Sequence, residues 1–134
     1  MLSIGRWFLP VVSGISSFYD LPWVTGLMAI LFHAIGAVAI VEIFNVKKAV
    51  TACLIGATVV SFPTVTSVMM YNYVADGYAV SFFLACLAAV CFAKGKWKDF
   101  IIGALLLALS SGIYQAYVSV TITLLLLYYC KFLV

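Results

Sequence analysis

The chain has 134 residues, of which 67% are hydrophobic and only 8% are charged, and its formal net charge is +3. A soluble domain carries about 25% charged residues, so this composition excludes an ordinary soluble protein, and no part of the chain resembles a basic nucleic-acid-binding surface. The sequence therefore predicts an all-α, polytopic helical membrane protein that forms one domain over residues 1–134. Since each crossing needs about 20 apolar residues, there is room for four or five helices.

Residues 1–22 are apolar but are broken by Pro10 and Gly14, which makes them too interrupted to span a bilayer. Trp7 and Tyr19 favour the headgroup level of a membrane. We therefore predict an interfacial segment on the outer surface, with a poorly ordered leader as the alternative. The segment has no clear cleavage site of the kind that ends a secretory signal peptide.

The first apolar helix is predicted over residues 23–45, with Trp23 as its interface anchor. His33 lies near its centre and Glu42 near its far end, and ionisable groups at membrane depth are functional candidates. Nine residues separate the two, which places them on roughly opposite faces of a helix. We expect Glu42 to reach the interface and His33 to be a neutral imidazole bonded to a neighbouring helix, with a proton relay as the alternative.

The second apolar helix is predicted over residues 50–71, and the third over residues 78–93 after a turn at 72–77. Pro63 removes a backbone donor and should kink the second helix, either for packing or to line a cavity. The third helix carries small residues at every fourth position, which lets helices approach closely. These residues are Ser81, Ala85, Ala89 and Ala93.

The cysteines lie inside apolar runs and lack the spacing of metal ligands, so we predict no metal site, no disulfide and no cofactor. They are expected to be small side chains that face the core or the lipid. They are Cys53, Cys86, Cys91 and Cys130.

Two short loops carry most of the lysines, and short lysine-rich loops face the cytoplasm. Because two predicted helices separate the loops, both loops fall on the same side of the membrane. This places the turn at 72–77 and the N-terminal segment outside. The lysines are Lys47, Lys48, Lys94, Lys96 and Lys98.

Residues 100–130 contain no charged residue but are interrupted near the middle by serine, glycine, tyrosine and glutamine. One continuous helix over this stretch would be about 46 Å long, which is too long for a hydrocarbon core of about 30 Å. A hairpin with arms at 100–113 and 116–130 is favoured, because it returns Lys131 to the side of the other lysines. In the first arm, Ala104, Ala108 and Gly112 are predicted to form a close-packing stripe.

Several short motifs together resemble the bacterial O-antigen glucosyltransferase II family. They are the glycine, arginine and tryptophan at 5–7, the ADGY at 75–78, the lysine-rich loop at 94–99 and the LSSGIYQAY at 109–117. The resemblance implies a multi-pass enzyme of the GT-C type in the bacterial inner membrane, with its site facing the periplasm. Such an enzyme takes glucose from undecaprenyl-phosphate-glucose and transfers it to the lipid-linked O-antigen of lipopolysaccharide.

This chemistry needs a carboxylate that accepts a proton from the acceptor hydroxyl, and donors that stabilise the departing phosphate. Asp76 and Asp20 are the candidate catalytic carboxylates on the outer side. The predicted substrate-binding residues are Arg6, Trp7, Tyr114, Gln115 and Tyr117. The simpler alternatives are that Asp76 caps the third helix, that the two tyrosines are interface anchors, that Gln115 bonds to another helix, and that Arg6 binds lipid phosphate.

The sequence also departs from the GT-C pattern, because it lacks the first helix and the acidic pair that normally follows it. The resemblance therefore predicts that the chain is part of a longer enzyme and is inactive alone. A small flippase for a polyprenyl-phosphate sugar and a structural membrane subunit are the competing interpretations.

Overall fold

The computed structural model describes residues 6–13, 21–70 and 74–133, and all regular structure among them is helical. The elements are α1 (Leu9–Ser13), α2 (Pro22–Ile43), α3 (Ala49–Ser61), α4 (Pro63–Met69), α5 (Ala75–Lys94), α6 (Trp97–Ile113), a 3-10 turn (Gln115–Tyr117) and α7 (Val118–Leu133). The predicted all-α fold is confirmed.

Two helices, α2 and α5, are each long and apolar enough to cross a membrane, and α3 together with α4 makes a third, bent candidate. The last two helices, α6 and α7, have 17 and 16 residues, fewer than the roughly 20 that a full crossing needs. The structure therefore offers two or three spans and a pair of shorter helices.

The central helix is α5, against which α2, α6 and α7 all pack. Its predicted small-residue stripe is confirmed: Ser81, Ala85 and Ala89 are fully buried, and Ala93 is half-buried. Small side chains let the backbones of neighbouring helices come close. The helix begins at Ala75, three residues before the predicted start.

The helix α2 runs parallel to α5. Ala29 packs with Ala75 near the start of both helices, and Ile43 packs with Val90 near their ends. The loops that follow α2 and α5 therefore lie at the same end of the bundle, as the lysine pattern predicts. Gly95, in the left-handed conformation at φ 68°, ends α5 there.

The chain reverses direction between α6 and α7. The end of α6 bonds to the start of α5 through Ser110 and Ser81, whereas α7 follows α5 from Thr121, beside Ala85, towards the end of that helix. The predicted hairpin is therefore present, although its arms pack on α5 far more than on each other. The ammonium of Lys131 donates to the carbonyl of Phe44 at 2.7 Å, which brings this lysine to the other lysines.

The second span is broken at Phe62, immediately before Pro63, and the helix axis bends there by 50°. The predicted kink is confirmed. No residue of α3 is buried. The α3 half of the segment is therefore a loosely held wall beside the bundle, whereas α4 buries Val68 against α2 and α5.

Two packing predictions are wrong. The stripe predicted on α6 is wrong for Ala104 and Ala108, which are exposed, and only its third member, Gly112, is buried. The helix instead presents Gly103 and Ser110 to α5. His33 does not bond to a neighbouring helix: its Nδ1–H donates to the carbonyl of Ala29 in its own helix at 2.8 Å. A carbonyl one turn earlier is always within reach of a histidine on a helix, whereas a partner on another helix requires a particular packing.

The cysteines occupy positions of three kinds in the described chain. Cys86 is buried in the core, Cys91 is half-buried, and Cys53 and Cys130 lie on exposed helix faces. The pattern of core-facing and outward-facing cysteines agrees with the sequence prediction.

Candidate functional site

A cluster of aromatic and polar side chains lies at the end of the bundle opposite the lysines. We call it the tyrosine end, and it comprises Arg6, Tyr78, Tyr114 and Tyr117. The guanidinium of Arg6 donates to the hydroxyl of Tyr78 at 3.3 Å and lies 5.2 Å from the ring centroid of Tyr114. The ring centroids of Tyr78 and Tyr114 are 4.8 Å apart, and those of Tyr114 and Tyr117 are 5.5 Å apart. The guanidinium is thus held by the hydroxyl of Tyr78 and the ring of Tyr114.

The N-terminal segment reaches this cluster because it docks on α5 and α6. The backbone amide of Phe8 donates to the carbonyl of Gly112 at 3.0 Å, and Leu9 is only 2% exposed. The last carbonyls of a helix have no partner within the helix, so this bond satisfies one of them. A side chain at Gly112 would come within 2.7 Å of the Trp7 indole, so the close approach requires glycine. The described residues 6–13 are therefore packed on the bundle, which the prediction of a surface segment did not include.

The turn between α6 and α7 is fixed by reciprocal serine bonds. The Ser81 hydroxyl donates to the Ser110 carbonyl at 3.0 Å, and the Ser110 hydroxyl donates to the Ser81 carbonyl at 2.9 Å. Both residues are fully buried. Just beyond this anchor the chain leaves the helix at Tyr114, which has an extended backbone with φ −151°. The anchor therefore sets where Tyr114 and Tyr117 project.

A cavity of about 430 Å³ lies between the bent α3–α4 segment and the α6–α7 turn. Tyr114 and Tyr117 line it, so it is continuous with the tyrosine end. The less favoured alternative for Pro63, a kink that lines a cavity, is the one that the structure supports. The other described lining residues are Ile40, Thr58, Val59, Phe62, Thr64, Val65, Phe82, Ala116, Ser119 and Val120.

The cavity wall is mostly apolar, but it carries hydroxyl groups. The Thr58 hydroxyl donates to the carbonyl of Leu54, and the Ser119 hydroxyl donates to that of Ala116, so both are held against their own chain segments. Tyr117, in the turn outside the spanning helices, is buried, and this burial raises its pKa to about 12. The Tyr117 phenol is therefore neutral at physiological pH and can act as a hydrogen-bond donor.

The predicted binding residues do not all converge. Arg6, Tyr114 and Tyr117 meet in the cluster. Trp7 is 51% exposed and packs on Gly112, so it positions the segment that carries Arg6. Gln115 is exposed in the turn. It makes no contact with the cavity in the described part of the chain.

Asp76, one of the two predicted carboxylates, is not among the described residues that line the cavity. Asp76 is 7% exposed, and its carboxylate accepts the amide of Gly77 at 2.8 Å in the first turn of α5. This agrees with the simpler interpretation of Asp76 as a helix-start acceptor, although the residue lies inside the helix and not at its cap. Asp20 lies outside the described residues.

Sequence reasoning missed Tyr78 and Phe82 as parts of the site. Tyr78 is the last residue of the ADGY motif, and it bonds directly to Arg6. Phe82 lies one turn further along α5, on the same face, and lines the cavity. The spacing of four residues between two aromatics was the signal that could have identified this face.

Comparison with known proteins supports one family. The model of the family described as Glucosyl transferase GtrII matches residues 1–134. No curated protein and no solved structure matches the chain. Since the family model covers the whole sequence, the resemblance seen in the motifs is confirmed, and the chain belongs to the Glucosyl transferase GtrII family.

Proposed function

We propose that this chain is part of an enzyme that transfers glucose from undecaprenyl-phosphate-glucose to lipid-linked O-antigen, at the outer face of the bacterial inner membrane. The observation that carries the proposal is the continuity between the 430 Å³ cavity and the tyrosine end, through Tyr114 and Tyr117. An apolar cavity that meets a cationic, hydrogen-bonding cluster fits a substrate with a lipid chain and a phosphate. The family assignment, a glucosyl transferase, indicates that the transferred group is glucose.

The lipid chain of the donor would lie in the cavity. Its walls are formed by apolar side chains of α3, α4 and α7, among them Val59, Val65 and Val120. Because α3 has no buried residue, this wall can adjust to a flexible chain at little cost in packing. The bend at Pro63 creates the space.

The phosphate of the donor would bind at Arg6. A guanidinium has five N–H donors in a planar fork, which suits phosphate oxygens, and its charge offsets that of the departing phosphate. In the described part of the tyrosine end, Arg6 is the one basic residue. Tyr78 holds Arg6 in place, and Tyr117 is a neutral donor nearby.

The proton acceptor would be Asp76 or Asp20, the two carboxylates that the sequence predicts on the outer side. Asp76 precedes Tyr78 by two residues, and its bond to the Gly77 amide occupies one carboxylate oxygen. The other oxygen has the capacity to accept from an acceptor hydroxyl. A base role would require the acceptor sugar to approach the start of α5.

The test of the phosphate site is Arg6→Gln, with Lys98→Gln as the matched control. Both variants remove one positive charge, but only the first lies at the tyrosine end. Glucose transfer would be measured in membranes that contain the full chain, with undecaprenyl-phosphate-glucose and lipid-linked O-antigen. We expect the first variant to lose about 100-fold in rate, as for loss of a charge-stabilising donor. Equal rates in the two variants would exclude Arg6 from the site.

The test of the base is Asp76→Asn, with Asp99→Asn as the control at the opposite end. A general base contributes about 10²–10⁴-fold, so we expect a loss in that range for Asp76→Asn and none for the control. Full activity of Asp76→Asn with loss in Asp20→Asn would assign the role to Asp20. Full activity in both variants would refute the proposed base.

A further inference from the structure

Six lysines from three separate segments converge at one end of the bundle. We call this the lysine end, and it also carries the carboxylates of Glu42 and Asp99, which gives its side chains a formal charge of +4. The lysines are Lys47, Lys48, Lys94, Lys96, Lys98 and Lys131. None of the described residues proposed for glucose transfer lies at this end.

The convergence depends on one specific contact. Lys131 donates to the carbonyl of Phe44 at 2.7 Å, which ties the end of α7 to the end of α2. Tyr128, one turn before Lys131 on the same face of α7, lies within hydrogen-bond distance of the Ala93 carbonyl on α5, at 3.4 Å. Three helix ends are thus held around a common space.

That space is a concavity of about 140 Å³ between α2, α5 and α7. Its floor is apolar, with Ile43, Val90 and Ala93, whereas its rim carries Glu42, Lys94 and Tyr128. Lys131 does not line the concavity itself but lies beside its rim, because it binds the carbonyl of Phe44, the residue after Ile43. An apolar floor below a cationic rim matches the junction between the acyl chains and the phosphate of a phospholipid.

An exposed aromatic pair marks the same level of the membrane. Trp97, between Lys96 and Lys98, is 78% exposed and stacks on Phe100 with ring centroids 6.4 Å apart. Tryptophan is enriched where headgroups meet acyl chains. The lysine end therefore lies at headgroup depth, where Lys94 and Lys131 can meet lipid phosphates.

We infer that the concavity, with Lys94 on its rim and Lys131 beside it, binds the headgroup of an anionic phospholipid, with the acyl chain beginning on the floor formed by Val90 and Ala93. The carboxylate of Glu42 on the same rim disfavours a second anion, which limits the site to one headgroup. The excess of lysines around the site raises the local concentration of anionic lipid.

The experiment uses the full chain in nanodiscs made of phosphatidylglycerol and phosphatidylethanolamine in equal parts. Native mass spectrometry counts the lipids that leave the disc with the protein. We expect at least about fivefold more phosphatidylglycerol than phosphatidylethanolamine to remain bound. Each lysine near an anionic headgroup strengthens binding by about that factor. Equal retention of the two lipids would overturn the inference. Displacement of the lipid by inorganic phosphate would overturn the lipid as the occupant.

Paired variants separate a built site from diffuse charge. Lys94→Gln with Lys131→Gln should abolish the preference for phosphatidylglycerol, whereas Lys47→Gln with Lys48→Gln removes the same charge and should keep it. Lys94→Arg with Lys131→Arg keeps the charge and should also keep the preference, which provides a variant whose folding is not at risk. An equal loss in both glutamine pairs would overturn the concavity as the site.

Discussion

The two apolar spans on either side of α2 differ sharply in how they are held. The helix α5 has eleven buried residues and contacts α2, α6 and α7, whereas α3 has no buried residue and packs mainly on α2. Both are strongly apolar and contain several alanines, although α5 also carries aromatic residues and α3 does not. The difference therefore comes from position in the bundle and not from hydrophobicity.

In a membrane this contrast has a functional meaning. Lipid is as apolar as the helix, so moving α3 from lipid into the bundle gains no hydrophobic free energy. Only close packing and interhelical hydrogen bonds would stabilise its contact with other helices. The helix α5 has both, through its small residues and through Ser81. The helix α3 has no buried small residue, and its Thr58 hydroxyl bonds within the helix. It can therefore border a cavity, while α5 holds the residues of the tyrosine end in place.

The largest expected change in stability comes from replacing one glycine by alanine at the α2–α5 contact and one on α3. In Gly36→Ala the new Cβ lies 2.7 Å from Cε1 of Phe82 on α5, so the ring or the helix must shift. Such overpacking costs about 1–3 kcal/mol of unfolding free energy. In Gly56→Ala, on α3, the Cβ meets nothing within 4 Å, and replacing glycine in a helix stabilises it by about 0.5–1 kcal/mol.

The measurement is denaturant unfolding of both variants in mixed detergent micelles, followed by circular dichroism. Opposite signs for the two changes would support the contrast. If Gly56→Ala destabilises the protein as much as Gly36→Ala does, then α3 packs as tightly as α5.

A smaller effect is expected from removing one hydroxyl. The Thr121 hydroxyl donates across helices to the carbonyl of Ala85 on α5 at 2.9 Å, whereas that of Thr58 donates to Leu54 within α3. Interhelical bonds in membrane proteins average about 0.6 kcal/mol, so Thr121→Val should lower the unfolding free energy by about that amount. Thr58→Val should leave it unchanged in the same unfolding experiment. A loss for Thr58→Val alone would reverse the assignment of which helix is anchored.

The sequence predicted those features that depend on local chemistry. Pro63 breaks a helix wherever it stands, and lysines in two loops separated by two helices must share a side. The resemblance in residues 109–117 likewise identified the family. These conclusions needed no knowledge of which helix faces which.

Features that depend on which faces meet were not predictable in the same way. Period-four alanines occur on both α5 and α6, but only those on α5 are buried, because α5 alone has neighbours on several sides. The docking of Phe8 on Gly112 joins residues more than a hundred positions apart and leaves no local pattern. The contact between Arg6 and Tyr78 could not be predicted for the same reason.

His33 is the residue whose replacement is expected to cause the smallest loss of unfolding free energy, although a buried histidine in a span invites a functional role. It is 1% exposed and stacks on Phe82 with ring centroids 5.1 Å apart, and its Nε2 has no hydrogen-bond partner in the described chain. His33→Phe keeps the stacking and removes an unpaired polar atom, which offsets about 1–3 kcal/mol, while it loses one bond worth about 0.5–1.5 kcal/mol. The net change in unfolding free energy therefore lies between a loss of about 0.5 kcal/mol and a gain of about 2.5 kcal/mol.

Glucose transfer by His33→Phe decides between packing and a proton relay. A relay needs a partner on each ring nitrogen, and Nδ1 is already bonded to the backbone of its own helix, so we expect the transfer rate to be unchanged. A large loss of rate in a variant that unfolds like the wild type would show that His33 moves protons. Phe82 would then connect His33 with the cavity, because its ring stacks on the imidazole and lines the cavity wall.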